Sequence, residues 1–333
     1  MTYMSHSIHN SKKYSSENSI LEVSGLSVFK KHPKNSSPIY LVEDIDLSVH
    51  ENELVAVVGE SGCGKSLSML SLIGLLPKSI FSKWGQFSFL GKDINEASME
   101  SLRGSQIGFS FQEPMVALNP LFTVGFQLRE HLMLHRGLNA SEARERIVSL
   151  LGELHINDPS KRFDQYPHEL SGGMRQRVML ALALVCEPKL IIADEPTTAL
   201  DVTVQAEILD LLLEIKSKRG LGILFVTHDL ALVRQIADKV VVMYAGSIVE
   251  TGSTAKIFSE PKHPYTKGLL AASPQIGKKV ERLSSIPGMI KDPESRSEGC
   301  KFYGRCYLET KQCAKDRPVL KGEASHQHRC MHV

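Results

Sequence analysis

The chain has 333 residues, 42% hydrophobic and 23% charged, with 24 Gly and 15 Pro; these values lie near the globular average and exclude disordered and fibrous classes. Thirty-nine Lys and Arg against 37 Asp and Glu leave a formal charge of +2, a smaller basic excess than a protein gripping many nucleic-acid phosphates carries. The longest apolar run, Val178 to Cys186, is nine residues, about half of what a membrane-spanning helix needs.

Residues 1–19 are rich in Ser, Asn, Lys and His without periodicity, which predicts a flexible lead-in and no signal peptide. Short β-like runs follow at Ile20–Val23, Tyr40–Val42 and Leu54–Val58, with Lys30 to Pro38 reading as a loop inserted in a hairpin. The third run is continuously apolar, as expected of a strand covered on both faces of a parallel sheet. A glycine-rich turn then leads into a helix expected over Lys65–Leu76 and stopped by Pro77. Residues 121–160 switch to helical spacing, with Ile147, Leu150, Leu151 and Leu154 on an apolar face and Glu142, Arg144, Glu145 and Arg146 opposite. Leu190–Ala193 and Ile223–Thr227 read as buried strands, Val202–Lys218 as a helix, and Val240–Val249 as a hairpin turned at Ala245-Gly246. The alternation predicts an α/β fold in which a parallel core sheet carries a helical subdomain.

Gly59-Glu60-Ser61-Gly62-Cys63-Gly64-Lys65-Ser66 fits G-x-x-x-x-G-K-[ST] between a buried strand and a helix. Glycines let successive N–H groups turn into one concave space, and the following helix adds the positive end of its dipole. Lys65 can neutralise β- and γ-phosphate charge and the Ser66 hydroxyl can ligate Mg²⁺, so the segment predicts nucleoside triphosphate binding. Leu190–Glu195 is the matching half: a buried strand ends in Asp194, suited to hold Mg²⁺ through water, and Glu195, suited to deprotonate the attacking water.

With these elements the chain resembles the ATP-binding cassette (ABC) ATPases. Leu170-Ser171-Gly172-Gly173-Met174-Arg175-Gln176 matches that family's signature loop, a helix N-terminus with Ser171 as N-cap and the N–H groups of residues 172–174 as an anion site. The resemblance implies that Ser171, Gly172, Gly173 and Gln176 complete the γ-phosphate site of an opposite subunit in a head-to-tail ATP-sandwich dimer. Gln112 in Phe111-Gln112-Glu113-Pro114 matches the loop that senses Mg²⁺ and water and touches the membrane partner. Asp201, in Ala199-Leu200-Asp201, matches the loop crossing the dimer interface, and His228, in Thr227-His228-Asp229, the histidine contacting the γ-phosphate. Catalytic roles are thus expected at Glu195, His228 and Gln112, and Mg²⁺ contacts at Ser66, Gln112 and Asp194. Phe29 and Tyr40 are the candidates for stacking on adenine.

The likeness is sharper to the dipeptide/oligopeptide importer ATPases, through Ala117-Leu118-Asn119-Pro120, Tyr166-Pro167-His168-Glu169 and Lys262-His263-Pro264-Tyr265-Thr266, segments without chemistry of their own. It implies an ABC nucleotide-binding domain with a RecA-like core, an N-terminal antiparallel β subdomain and a helical subdomain at about residues 115–175. The domain is expected over residues 20–252, with a C-terminal extension over 253–333. It also implies an ATP hydrolase at the cytoplasmic face of the cell membrane. Expected partners are two transmembrane permease subunits, a second and different ABC ATPase and, through the complex, an extracytoplasmic peptide-binding protein, with no nucleic acid. Import of another solute such as nickel, or a non-transport ABC ATPase, is the rival expectation.

The tail is compositionally distinct. Residues 278–333 carry a local +5 and four of the six cysteines: Cys300, Cys306, Cys313 and Cys330. Two disulfides do not suit a reducing compartment; zinc favours tighter knuckles; Cys₄ ligation of an iron–sulfur cluster tolerates such spacing. The importer ATPases that the tail resembles carry a [4Fe–4S] cluster there, with zinc, or free or transiently paired thiols, as the alternatives. Lys301, Arg305 and Arg329 beside these cysteines suit compensation of a buried anion or contact with lipid headgroups. Cys63 is expected to offer only its backbone N–H, and Cys186 to be a small core hydrophobe in an apolar helix.

Overall fold

In the computed structural model of the protein, residues 19–34, 37–112, 117–198, 200–273 and 285–333 are described. The lead-in up to residue 18, Glu113, Pro114 and Ala199 of the motifs above, and the first basic residues of the tail lie outside the described residues.

Two long strands, β1 (Ser19–Lys31) and β2 (Pro38–His50), pair antiparallel across the expected inserted loop. β3 (Leu54–Val58) then enters a second sheet, and α1 (Lys65–Leu72) follows the glycine turn. The chain returns to the first sheet with β4 (Ile80–Lys83), β5 (Gln86–Phe89) and β6 (Lys92–Asp93), of which β4 and β5 both pair with β1. α1 ends four residues before the expected Leu76, because Gly74 adopts φ 64 and turns the chain before Pro77 is reached.

The second sheet holds the core. After α2 (Glu96–Leu102), β7 (Ile107–Ser110) pairs parallel with β8 (Leu190–Asp194), β8 with β9 (Gly222–Thr227), β9 with β3, and β3 with β10 (Lys239–Tyr244). Every residue of β3, β8 and β9 is buried, and their alternate side chains feed two different cores. Leu54, Ala56, Val58, Ile223 and Phe225 face one, and Val55, Val57, Leu224 and Val226 the other. That two-sided burial is why these strands read as unbroken apolar runs.

One face is covered by helices: α3 (Val124–Arg136), α4 (Ala140–Glu153), α5 (Pro159–Phe163), α6 (Gly172–Leu184) and α7 (Val202–Arg219). In α4 the apolar residues Ile147, Leu150 and Leu151 are buried, and Asn139 with Glu142 closes a capping box at its start. The other face is covered by the antiparallel sheet and by Met69 and Leu72 of α1. Cys186 is a buried core residue as expected, but it lies just past the end of α6.

The core sheet is mixed, not purely parallel. After α8 (Leu230–Ile236) and β10, the turn Ala245-Gly246, both at positive φ (47 and 81), reverses the chain into β11 (Ser247–Ser253). α9 (Thr254–Ser259) and α10 (Pro264–Ala272) follow, and the cysteine-containing segment ends with β12 (Lys321–Glu323) and β13 (His326–His328). β13 pairs with β11, so the compositionally distinct tail extends the core sheet. Fully buried Glu250 staples it, accepting from the N–H groups of Lys262 (2.7 Å) and His263 (2.8 Å) and pairing with His326 Nε2 at 2.7 Å. The basic side chains of the tail meet carboxylates of β2: Lys301 pairs with Glu43 at 3.3 Å, Arg317 with Glu43, and Arg329 with Asp44 at 3.5 Å. These cations dock the tail, which is a different use of the local positive charge from the two expected. Among the described residues no helix is long and apolar enough to cross a membrane.

Candidate active site

The loop after β3 curls through Gly59, Gly62 and Gly64, with φ of 155, 77 and 105. Any larger residue at position 59 collides with the carbonyl of Met243, so glycine is required by both torsion and contact. Lys65 folds back over the loop it terminates. Its Nζ donates to Gly59 O at 2.7 Å and to Glu60 O at 3.2 Å, and the side chain is 6% exposed. A cation held at the mouth of an N–H-lined concavity at a helix N-terminus is an anion site. The Cys63 N–H is turned inward onto Glu60 O (3.3 Å), and its carbonyl accepts from Gly246 N–H at 2.8 Å.

Three strand ends bring the expected catalytic side chains together beside this loop. Asp194, the last residue of β8, is 7% exposed and its Oδ1 has no hydrogen-bond partner. Burial pushes its carboxyl above the usual range, while a hydrogen bond from Ser66 acts in the opposite sense. A buried, unsatisfied carboxylate oxygen next to a hydroxyl and a lysine fits a hard divalent cation such as Mg²⁺. Glu195 follows at φ 47, its N–H donating to Val226 O at 2.9 Å. Its Oε2 accepts from Gln112 Nε2 (3.2 Å), beyond the end of β7, and from Thr198 Oγ1 (2.9 Å). Its Oε1 faces His228 Nδ1, beyond the end of β9, at 3.3 Å. One carboxylate is therefore oriented from three sides, and Oε1, with a single partner, keeps a lone pair for a water.

The signature residues stand apart. Ser171 caps α6, its Oγ accepting from Met174 N–H at 3.4 Å. The Met174 donor is thus engaged, which narrows the anion-binding N–H set expected over 172–174. Ser171, Gly172 and Gly173 share an open groove with Leu200 and Asp201, and no residue of the phosphate loop lines it. Gly173 lets α6 approach Val204 of α7, which any β-carbon there would crowd, and Asp201 caps α7 by accepting from Val204 N–H at 2.9 Å. Gln176 is 2% exposed and lines an internal crevice with Ser110, Ala193 and Phe225, not the groove.

Cys300, Cys306, Cys313 and Cys330 line one small apolar pocket together with His263, Phe302, Tyr303 and His332. Burial pushes the Cys300 and Cys306 thiols up, Cys306 to about 11, and the other cysteines add to the effect on both. Thr310 Oγ1 and His332 Nε2 lie 3.4 and 3.2 Å from Cys313 Sγ. Among the described residues no group of three or more His, Cys, Asp or Glu is arranged to hold a single metal ion.

Residues 42–198 match the ABC transporter family and residues 249–313 the oligopeptide/dipeptide transporter C-terminal region. The dipeptide transport ATP-binding protein DppD of Escherichia coli strain K12 is 47% identical over 290 residues, 86% of this chain and 88% of its own. The chain belongs to the ABC transporter ATP-binding proteins. Solved cassettes share the fold. CbiO1 of Clostridium perfringens, part of the transporter complex cbiONQ, aligns with TM-score 0.61 and 28% identity over 73% of this chain and 92% of its own. The post-hydrolysis dimer of the ATP-binding cassette MJ0796, bound to ADP and Pi, aligns with TM-score 0.60 and 28% identity over 70% and 98%. The protein is an ABC ATPase, and its chemistry is hydrolysis of ATP.

The candidate adenine aromatics of this ABC ATPase are neighbours: the Phe29 and Tyr40 rings lie 5.8 Å apart across the β1–β2 ladder. Phe81 of β4 stacks on Phe29 at 5.9 Å, and Lys83 Nζ donates to Tyr40 OH at 2.9 Å. Phe81, 39% exposed, and Lys83 reach these two rings through β4, a short strand whose non-local pairing with β1 leaves no signal in the sequence. Thr198 was missed for want of any motif of its own. Lys262-His263-Pro264-Tyr265-Thr266 acquires a physical role: His263 caps α10, accepting at Nδ1 from Tyr265 N–H (3.1 Å), and Tyr265 OH accepts from Glu60 N–H at 2.8 Å. Burial pulls His263 down to about 3, so it accepts as a neutral ring.

Proposed function

We propose that this ABC ATPase powers import of peptides across the cytoplasmic membrane. The observation that carries the reading is the joining of a full hydrolytic constellation to a C-terminal extension that matches the oligopeptide/dipeptide transporter region and is built into the same sheet. The division into an ATPase domain at 20–252, with its helical subdomain near 115–175, and an extension at 253–333 is part of this proposal.

The residues act as follows. Lys65 and the N–H groups of loop 59–66 bind the β- and γ-phosphates, while Ser66 and Asp194, with Gln112 nearby, would hold Mg²⁺, which supplies charge neutralisation at the phosphoryl oxygens. Glu195 takes a proton from water as that water attacks the γ-phosphorus. The bond to the β–γ bridging oxygen breaks, and its electrons leave with ADP. His228 and Gln112 hold Glu195 and the water in line, and Phe29 or Tyr40 stacks on adenine. The groove at Ser171–Gly173, with Asp201 beside it, caps the γ-phosphate of a second, different ATPase subunit. Two permease subunits, fed by an extracytoplasmic peptide-binding protein, hold the pair at the cytoplasmic face of the membrane. Cys300, Cys306, Cys313 and Cys330 would ligate a [4Fe–4S] cluster, a choice that rests on four thiols lining one apolar pocket.

The test is isolation of the tagged chain from membranes. Recovery with two polytopic membrane proteins and a second cassette ATPase, with turnover stimulated by peptide and its binding protein, is expected. Stimulation by nickel and not by peptides, or recovery with ribosomes or DNA, refutes the reading. Anaerobic purification should give a coloured protein with iron and acid-labile sulfide in equal amounts; colourless protein holding zinc refutes the cluster.

A further inference from the structure

The guanidinium of Arg305, one residue before Cys306, faces the nucleotide site and not the cysteine sulfurs. Its side chain is 5% exposed, and its five N–H donors all have acceptors. Nη1 donates to Glu60 Oε2 at 2.7 Å and Tyr244 OH at 3.3 Å; Nη2 donates to Glu60 Oε1 at 2.9 Å and Gly288 O at 3.1 Å; Nε donates to Pro287 O at 2.7 Å. The rings of Tyr244 and Phe302 flank it, their centroids 5.6 and 5.9 Å away. Glu60 is the second residue of the phosphate loop and is held at every polar group: its carboxylate by Arg305, its N–H by Tyr265 OH, and its carbonyl by Lys65 Nζ. A second thread runs parallel. Arg296 Nη1 donates to Ala245 O at 2.9 Å, in the turn whose Gly246 N–H donates to Cys63 O.

We propose that Arg305 is a positioning residue for nucleotide binding: from the four-cysteine segment it neutralises and orients Glu60 of the phosphate loop. The proposal rests on loop 59–66 being the ATP site. An unpaired carboxylate at the rim of a site for a polyanionic triphosphate repels the ligand, and the bidentate pairing removes that charge while fixing the plane of the carboxylate. Lysine can replace the charge but not the two-pronged geometry.

The experiment measures binding of a fluorescent, non-hydrolysable ATP analogue with Mg²⁺ to the full-length chain, with melting temperature as a folding check. ATP turnover is then measured in the assembled complex. Arg305→Gln should raise Kd and KM by about 10-fold while kcat falls by less than about twofold. Arg305→Lys should lie between it and the natural protein. The double change Glu60→Gln with Arg305→Gln should recover most of the lost affinity, because it removes the stranded carboxylate; a merely structural role predicts further loss. Unchanged Kd in Arg305→Gln, or a double variant no better than the single one, overturns the proposal. If Arg305→Gln does not fold, Arg305→Lys carries the test, and natural affinity there overturns it. Lys65→Ala is the control. Loss of binding in Lys65→Ala with natural affinity in Arg305→Gln sinks the Arg305 role alone, whereas natural binding in Lys65→Ala sinks the ATP site itself.

Discussion

Glu195→Gln separates the chemistry of the site from its architecture. The side chain is 17% exposed and held by Gln112, Thr198 and His228 at 3.2, 2.9 and 3.3 Å. A glutamine of the same length can present its oxygen to Gln112 and Thr198 and its amide to His228 Nδ1, so all three contacts survive. What disappears is the proton acceptor. A general base contributes about 10²- to 10⁴-fold, or about 3–5 kcal/mol of barrier, and that is the expected loss in kcat. ATP should bind at least as tightly, since one negative charge near the γ-phosphate is removed. Phosphate release by the assembled complex gives kcat, a melting curve checks the fold, and ATP-dependent association with the partner ATPase should persist without release. A kcat loss under about tenfold, with the fold intact, refutes the base assignment.

Lys65→Ala removes a cation that contacts Gly59 O and Glu60 O; a charge-assisted contact of about 1.5–3 kcal/mol predicts ATP affinity lower by about 10- to 100-fold, read by equilibrium titration. Ser171→Arg should leave ATP affinity of the isolated chain unchanged, because the signature groove shares no residue with the phosphate loop. In the complex it should lower turnover by about 100-fold or more, the scale of losing an anion-stabilising donor set. His131, half-buried in α3 with a buried and unpartnered Nδ1, is held below the usual histidine range by burial, with His135 adding to the effect. The unfolded chain therefore takes up a proton below about pH 6.5 before the folded one does, and stability is lost as pH falls. His131→Leu removes that sensitivity: between about pH 7.5 and about pH 5.5 the two proteins' unfolding free energies should diverge by up to about 1.4 kcal/mol, and parallel pH profiles refute it.

What the sequence disclosed and what it withheld follow from range. The strands carrying Gly59, Asp194 and His228 are legible because burial on both faces forces continuous apolar runs, and the residues that end them are fixed by adjacency in the chain. The convergence of Gln112, Glu195 and His228 follows once β7, β8 and β9 are neighbours in one sheet. β12 and β13 were illegible: Lys321-Gly322-Glu323 and His326-Gln327-His328 are polar strands at the margin of the sheet, with no alternation to find. Two stop signals, Gly74 and Pro77, stand close together in the sequence, and the left-handed glycine acts before the proline that lies farther on.

The tail shows a harder limit. Its excess positive charge was visible, yet charge alone does not say what it faces. Arg305 and Glu60 are 245 positions apart, and Lys301 and Glu43 are farther apart still, so no local pattern links them. Only the folding of β13 onto β11 and the clamp at buried Glu250 brings the basic segment against β2 and the phosphate loop. Ionic docking of this kind also explains why the segment needs little apolar area of its own. Phe302 inserts among Tyr244 and Tyr265, with ring centroids 5.0 and 5.4 Å away, and the β13–β11 ladder, the Glu250–His326 pair and hydrogen-bonded cations supply the rest. The point at which this segment reaches the phosphate loop is Glu60, whose carboxylate Arg305 grips with both terminal nitrogens.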